Sequence, residues 1–309
     1  MVVNLMTEQL KKSAQKRFAT GLLLAVVGSI AFSGKAIIVK LAYRHGVDAV
    51  TLIMYRMLFA LPIFAVMAWW ASRGKEALTR NDWLGILGLG FTGYYLASYL
   101  DFAGLAYISA ALERLILYLN PTLVLILGWL LYKKKMSSKQ IGAMALSYAG
   151  ILLVFGHELK FDGITSSNTV LGATLVFGSA VSYAIYLSYS GEMVKRLGSL
   201  RLVGLATTVA CLLCIAQFAI LRPISAMAVA PEVIWLSILN ATLCTALPVL
   251  AVMMAIERIG APLTAQTGMI GPMSTILMGV FILGEPLNAW IIAGTVLVLG
   301  GVYWVSRKN

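Results

Sequence analysis

The sequence predicts an all-α integral membrane protein: ten transmembrane helices, written as two inverted five-helix repeats. Three observations carry that prediction. Of 309 residues, 60% are hydrophobic and 12% charged, with a mean hydropathy of +0.89. A soluble globular chain is about 45–50% apolar and about 25% charged, so most of this surface must face lipid. Ten runs are apolar and long enough to cross a hydrocarbon core about 30 Å thick at about 1.5 Å per residue. The third observation is internal likeness at an offset of 151 residues.

The first run, 19–41, is longer than the apolar stretch of a signal peptide and lacks an A-x-A site, so it reads as a retained helix. The segment before it, 1–18, carries Lys11, Lys12, Lys16 and Arg17 and is expected in the cytoplasm. Runs follow at 49–71, 83–103, 109–132 and 138–156, then at 168–190, 200–221, 232–256, 261–283 and 287–305. Five-helix units are thus expected over 19–156 and 168–305. With both termini in the cytoplasm, 17 Lys and Arg fall on the inner side, four outside and three within spans. That bias obeys the positive-inside rule and places the chain as a multi-pass protein of the cell inner membrane. It also accounts for the net charge of +12, which is topology and not a nucleic-acid footprint.

At offset 151, Asn120-Pro121 matches Gly271-Pro272, Leu112 matches Leu263, Ile141-Gly142 matches Ile292-Ala293, Gly150-Ile151 matches Gly301-Val302, and Gly21 matches Gly172. An odd number of helices per unit inserts the second copy upside down. Inverted repeats are the recurring architecture of secondary transporters, whose substrate site lies near the midplane between the halves.

The phrases Ala106-Tyr-Ile-Ser-Ala-Ala111, Asn120-Pro-Thr-Leu123, Gly271-Pro-Met-Ser274, Leu283-Gly-Glu-Pro286 and Ala293-Gly-Thr295 resemble the drug/metabolite transporter superfamily, more narrowly its ten-helix EamA branch. The resemblance implies a carrier of small organic metabolites, an exporter, with neutral or aromatic amino acids as the first expectation. Carriers of nucleotide sugars, sugar phosphates, nucleosides or drugs are the alternative, since they share the wider fold. Small four-helix members of the superfamily use a first-helix carboxylate for proton coupling. Gly21–Val39 holds none, which leaves Asp101 and Glu113 as the intramembrane carboxylates.

Five charges fall inside spans, where each costs several kcal/mol unless paired or hydrated: Lys35, Arg56, Asp101, Glu113 and Arg114. They lie about 6, 7, 2, 4 and 5 residues from the outer ends of their spans, all in the first repeat. Their mates at offset 151 are Tyr186, Thr207, Val252, Thr264 and Ala265, all uncharged. The set is expected to form an outer gate of ion pairs, or to draw one charged end of the substrate; snorkelling lysine and arginine around an Asp101–arginine pair is the structural alternative. Pro121 and Pro272 fall near the midplane at related positions and are expected to act as hinges.

Neutral polar residues near the midplane supply the expected pocket: Tyr95, Ser98, Tyr118, Asn120, Ser179, Tyr183, Tyr186, Asn240 and Gln266, with Thr245 beside them. Ser179, Tyr183 and Tyr186 share a helical stripe, as do Phe91, Tyr95, Ser98 and Phe102. Gly88-Leu-Gly90-Phe-Thr-Gly93 follows no strand, so its glycines suggest close helix approach and not a dinucleotide loop. Cys211 and Cys214 sit in an apolar run and are read as buried helix residues. No catalytic residue, metal site or cofactor is expected, because His45 and His157 lie at outer loops and neither G-x-S-x-G nor H-E-x-x-H occurs. A phosphate loop and a repeated filter motif are also missing, which argues against a pump or a channel. The expected partners are a small-molecule substrate and membrane lipid, with no nucleic acid, in a monomer or homodimer.

Overall fold

A computed structural model describes residues 2–133, 137–161, 166–259, 264, 267–268 and 270–306, and these are helical with short connections. The helices are α1 (Val2–Tyr43), α2 (Ala49–Ser72), α3 (Arg80–Leu89), α4 (Ala97–Leu105), α5 (Ala110–Leu117), α6 (Asn120–Tyr132) and α7 (Ser138–Phe161) in the first half. The second half has α8 (Ser166–Leu197), α9 (Ser199–Leu221), α10 (Pro231–Ala241), α11 (Leu247–Ile259), α12 (Ile270–Met278) and α13 (Ala289–Ser306). Among the described residues, seven helices are long and apolar enough to cross a membrane, and Ile270–Leu283 and Ala289–Trp304 are shorter apolar helices. Arg80–Leu105, built from α3, a π-helical stretch at Gly90–Leu96 and α4, supplies the tenth crossing element.

The first span continues back to Val2 as one helix, so the basic segment before it is a helical extension. Asp48 starts α2 by accepting from the backbone of Val50 and Thr51. Thr79 and Asp82 form a reciprocal capping box that starts α3. Ser109 starts α5 by accepting from Leu112 N.

The repeat is visible in the backbone. The π-helical stretch Gly90–Leu96 has a counterpart at Thr242–Ala246 between α10 and α11, at the related position. Lys133 ends α6 in the left-handed region at φ 51°, and Gly284, 151 residues on, ends the ninth span there at φ 74°. Packing follows the same relation: α2 lies along α9 and α7 along α13, while the α1–α11 pair is matched by α8–α4. Glycines set the closest of these seams. A Cβ on Gly150 would come 2.6 Å from Gly294 O, and one on Gly294 would come 2.7 Å from Gly150 O, so no larger residue fits either helix there.

Candidate functional site

The five intramembrane charges are buried together in one half of the bundle, with relative exposures of 0–7%. Lys35 of α1 reaches across to Asp101 of α4 at 2.5 Å and to Glu113 Oε1 of α5 at 3.6 Å. The Asp101–arginine pair of the structural alternative does not form. Arg56 Nε instead donates to Thr245 Oγ1 at 3.2 Å, and its guanidinium lies 5.1 Å from the Phe102 ring centre. Arg114 Nε donates to Thr275 Oγ1 at 2.9 Å and Nη2 to Phe32 O at 3.2 Å, with the Phe32 ring 5.5 Å away. The lysine is held by carboxylates and the arginines by neutral oxygens and ring faces.

Next to this cluster the spans that carry Pro121 and Pro272 are broken and meet at their breaks. The fourth span interrupts at Tyr118-Leu119, and Pro121 sits in the first turn of the helix that resumes. A proline there forfeits no helical hydrogen bond, so Pro121 marks a new helix start where the sequence suggested a kink within one helix. Pro272 lies likewise in the first turn of α12. Tyr118 OH donates to Gly268 O at 2.6 Å, and Ser33 Oγ donates to Gly271 O at 2.9 Å or to Ser29 O of its own helix at 2.7 Å. Thr275 Oγ1, which accepts from Arg114, donates to Ser33 O or Gly271 O, each at 3.3 Å. One chain of hydrogen bonds thus links α1, both broken spans and the charge cluster. Ser33 and Thr275 carry no signal in the sequence that sets them apart from other span hydroxyls.

Asn120 caps the break, its Nδ2 donating to Leu117 O at 2.7 Å, while its Oδ1 is buried without a partner among the described residues. Asn240 is buried with an Oδ1 that has no partner among the described residues, just before the π-helical stretch Thr242–Ala246 that carries Thr245. Gln266 lies outside the described residues.

The two stripes differ from expectation. Ser179 Oγ donates to Ala97 O at 2.7 Å, and the Tyr186 hydroxyl lies 3.2 Å from that of Tyr94. The Tyr183 ring stacks on Tyr186 at 5.4 Å. These residues therefore fasten α8 to the third span instead of lining an open axis. In the third span, Phe102 is fully buried but Phe91 is 44% exposed, so they do not share a face. The π-helical stretch between them widens the turn and shifts the register that a 3.6-residue period assumes. Tyr95 packs on Phe91 at 5.4 Å and is half-buried, as is Ser98. Gly90 and Gly93 do permit close approach, to Ala206 and Tyr186, whereas Gly88 faces open space. Cys211, Cys214 and Cys244 are all buried thiols.

Loops tie the halves at both ends. On the face opposite the N-terminus, Glu285 Oε1 accepts from Ala110 N at 3.0 Å and lies 3.4 Å from Lys40, while Arg44 donates to Leu283 O at 2.7 Å. These give the LGEP phrase a physical role, a carboxylate at the positive end of α5. Arg222 meets Asp48 at 3.1 Å on the same face. Partial burial would raise the Asp48 carboxyl, but hydrogen bonds from Thr51 and Arg222 outweigh it and hold the group below its ordinary value. On the N-terminal face, Arg196 meets Asp82 at 3.0 Å and Arg201 donates to Glu76 O at 3.0 Å. The Thr79 hydroxyl and backbone amide hold the Asp82 carboxyl below its ordinary value, with help from Arg196. A cavity of about 570 Å³ opens on the first of these faces, among Tyr43, Asp48, Tyr99, Tyr107 and Arg222. Wholly apolar clefts elsewhere, such as that among Leu24, Ile63, Leu247 and Met254, lie between helices on the lateral surface.

Residues 19–156 and 170–307 each match the EamA-like transporter family, two stretches that start and end 151 residues apart. The chain is 29% identical over 304 residues to the uncharacterized transporter YcbK of Bacillus subtilis, covering 96% of this chain and 94% of that one. An uncharacterized transporter of Archaeoglobus fulgidus is 23% identical, with 94% and 98% covered. A WAT1-related protein of Arabidopsis thaliana is 26% identical, with 92% and 89% covered. A solved crystal structure superposes with a TM-score of 0.61 at 16% identity over 93% of this chain and 96% of that one, a likeness of fold.

Proposed function

The chain belongs to the EamA-like transporter family, and on that premise we propose that it exports small organic metabolites by alternating access, with neutral or aromatic amino acids as substrates. The observation that carries the alternating-access reading is the meeting of two repeat-related helix breaks through Tyr118 to Gly268, with Ser33 of α1 beside Gly271. Broken helices at the interface of repeats leave backbone carbonyls and half-helix ends free to face a solute. They also concentrate bending at one level of the bundle. Tyr118, Asn120 and Asn240 supply polar groups at that level, two of them with an amide oxygen that has no partner among the described residues and is able to accept from a substrate ammonium. The half-buried rings of Tyr95 and Tyr118 suit an apolar side chain.

In this reading the two repeats are inverted, the axis relating them lies in the membrane plane, and both termini are cytoplasmic in the cell inner membrane. The charge cluster then lies in the outer half, where it closes the outward path while Lys35 holds Asp101 and Arg114 holds Thr275. The experiment is counterflow in proteoliposomes across a panel of amino acids, nucleosides, sugar phosphates and cationic drugs. Saturable exchange of an amino acid supports the reading. Exchange confined to another solute class overturns the substrate, and no exchange of any member overturns the carrier.

A further inference from the structure

The cations and carboxyls of the cluster are compensated unequally. Arg56 and Arg114 each have a hydroxyl oxygen and a phenyl face, and neither donates to a carboxylate among the described residues. Ring faces and dipoles of this kind hold a desolvated guanidinium without a counter-ion. Among the described residues the two carboxyls therefore share one direct ion-pair partner, the ammonium of Lys35. Asp101 Oδ2 takes the short contact. Glu113 is 0% exposed, and among the described residues neither of its oxygens accepts a hydrogen bond and Asp101 Oδ1 has no partner either.

An ionised carboxylate at this depth without a donor costs several kcal/mol. Two neighbouring carboxyls that cannot both ionise hold one proton between them. A proton on Glu113 makes it a donor toward the neighbouring Asp101 carboxyl. Lys35 then faces one negative charge, and the charges of Arg56 and Arg114 rest on Thr245, Thr275, Phe32 O and the ring faces of Phe102 and Phe32. The charged groups facing Glu113 from other elements are Lys35 on α1 and Asp101 on α4, with Arg114 on its own helix; Arg56 on α2 faces Asp101, and the Cys244 thiol lies near Lys35, Arg56 and Arg114. The helices packed on the far side of α5 present uncharged residues, among them Val154, Val176, Ala180 and Thr275.

We propose that Glu113 and Asp101 form a proton-binding site, holding one proton between them above Lys35, and that this proton escapes to water when the fourth span parts from the ninth. The link follows from position: Glu113 is little more than one turn before Tyr118, whose hydroxyl ties the two breaks together. When that tie opens, water reaches the carboxyls and solvates an ionised Glu113, the proton leaving as hydronium. The second half rests on the alternating-access reading and the first half does not.

Infrared difference spectroscopy of the purified full chain tests both halves without a substrate. At neutral pH the protein should show a carboxylic-acid C=O band that shifts in D2O. Glu113→Gln should abolish it, and so should Asp101→Asn, because a lone carboxyl opposite Lys35 needs no proton. No acid band in the native protein, or one that survives in Glu113→Gln, overturns the site. Tyr118→Phe should speed deuterium exchange of the band several-fold, and an unchanged exchange rate overturns the link to the break. Absence of metabolite flux would leave the band as it is, so failure of the transport reading is distinguished from failure of this one.

Discussion

The charge cluster and its counterpart in the other repeat occupy equivalent scaffolds and carry opposite chemistry. Lys35, Arg56 and Thr245 correspond at offset 151 to Tyr186, Thr207 and Tyr94. Both sets stand beside a π-helical stretch, at Thr242–Ala246 and at Gly90–Leu96. On one side the contacts are an ion pair at 2.5 Å and charge-assisted hydrogen bonds. On the other they are a tyrosine hydroxyl pair at 3.2 Å with rings 5.2 Å apart. A neutral aromatic contact can separate and re-form with little change in solvation, whereas a buried ion pair must be hydrated to open. Under the proposed gate reading, the repeat supplies two similar gates with unequal opening costs.

Substitutions that break or sharpen that inequality can be ranked. Lys35→Met leaves two carboxyls without their cation and should lower stability by about 3–5 kcal/mol. The double variant Lys35→Met/Asp101→Leu should recover most of that, because an apolar pair of similar volume replaces the ions. Thermal unfolding in detergent measures both, and a double variant no more stable than the single would refute the pairing. Arg114→Met should cost about 1–3 kcal/mol, since Thr275 and Phe32 O lose a charged donor in a buried site. Tyr186→Phe should cost about 1 kcal/mol, the net value of one neutral hydrogen bond, and leave the rings packed.

The smallest effect concerns the loops. Asp48 and Asp82 are both held below their ordinary value in the folded protein. Their contribution is therefore complete at neutral pH and is lost as pH falls below about 4, the free carboxylate value. For the half-exposed Asp48–Arg222 pair it amounts to about 0–1 kcal/mol. Arg222→Gln should flatten the acid limb of the stability profile slightly, and an unchanged limb would remove that pair from the account.

What the sequence made legible follows from cost. Charge in hydrocarbon is expensive, so Lys35, Arg56, Asp101, Glu113 and Arg114 stood out one by one, and the depth of each placed them together. Repeat arithmetic singled out Pro121 and Pro272 as equivalent, though not that each begins a helix. Tyr94 could have been found the same way, as the mate of Thr245. Ser33 and Thr275 could not, because a span hydroxyl that bonds its own helix looks the same as one that bonds a neighbour. The third-span stripe failed where a π-helical stretch changed the period, which leaves Phe91 exposed and Phe102 buried. Glu285 lay in a phrase that pointed to a family, but its contact with Ala110 N depends on a distant loop.

The central claim is that the ion pair between the first and third spans governs the opening of one side of a carrier. Counterflow of radiolabelled aromatic and neutral amino acids in proteoliposomes tests it most directly, comparing the native chain with the Lys35→Met/Asp101→Leu variant. The account predicts saturable exchange by the native protein, and exchange reduced at least tenfold in a variant that is folded by thermal unfolding. Exchange at the native rate and affinity in that variant would contradict it.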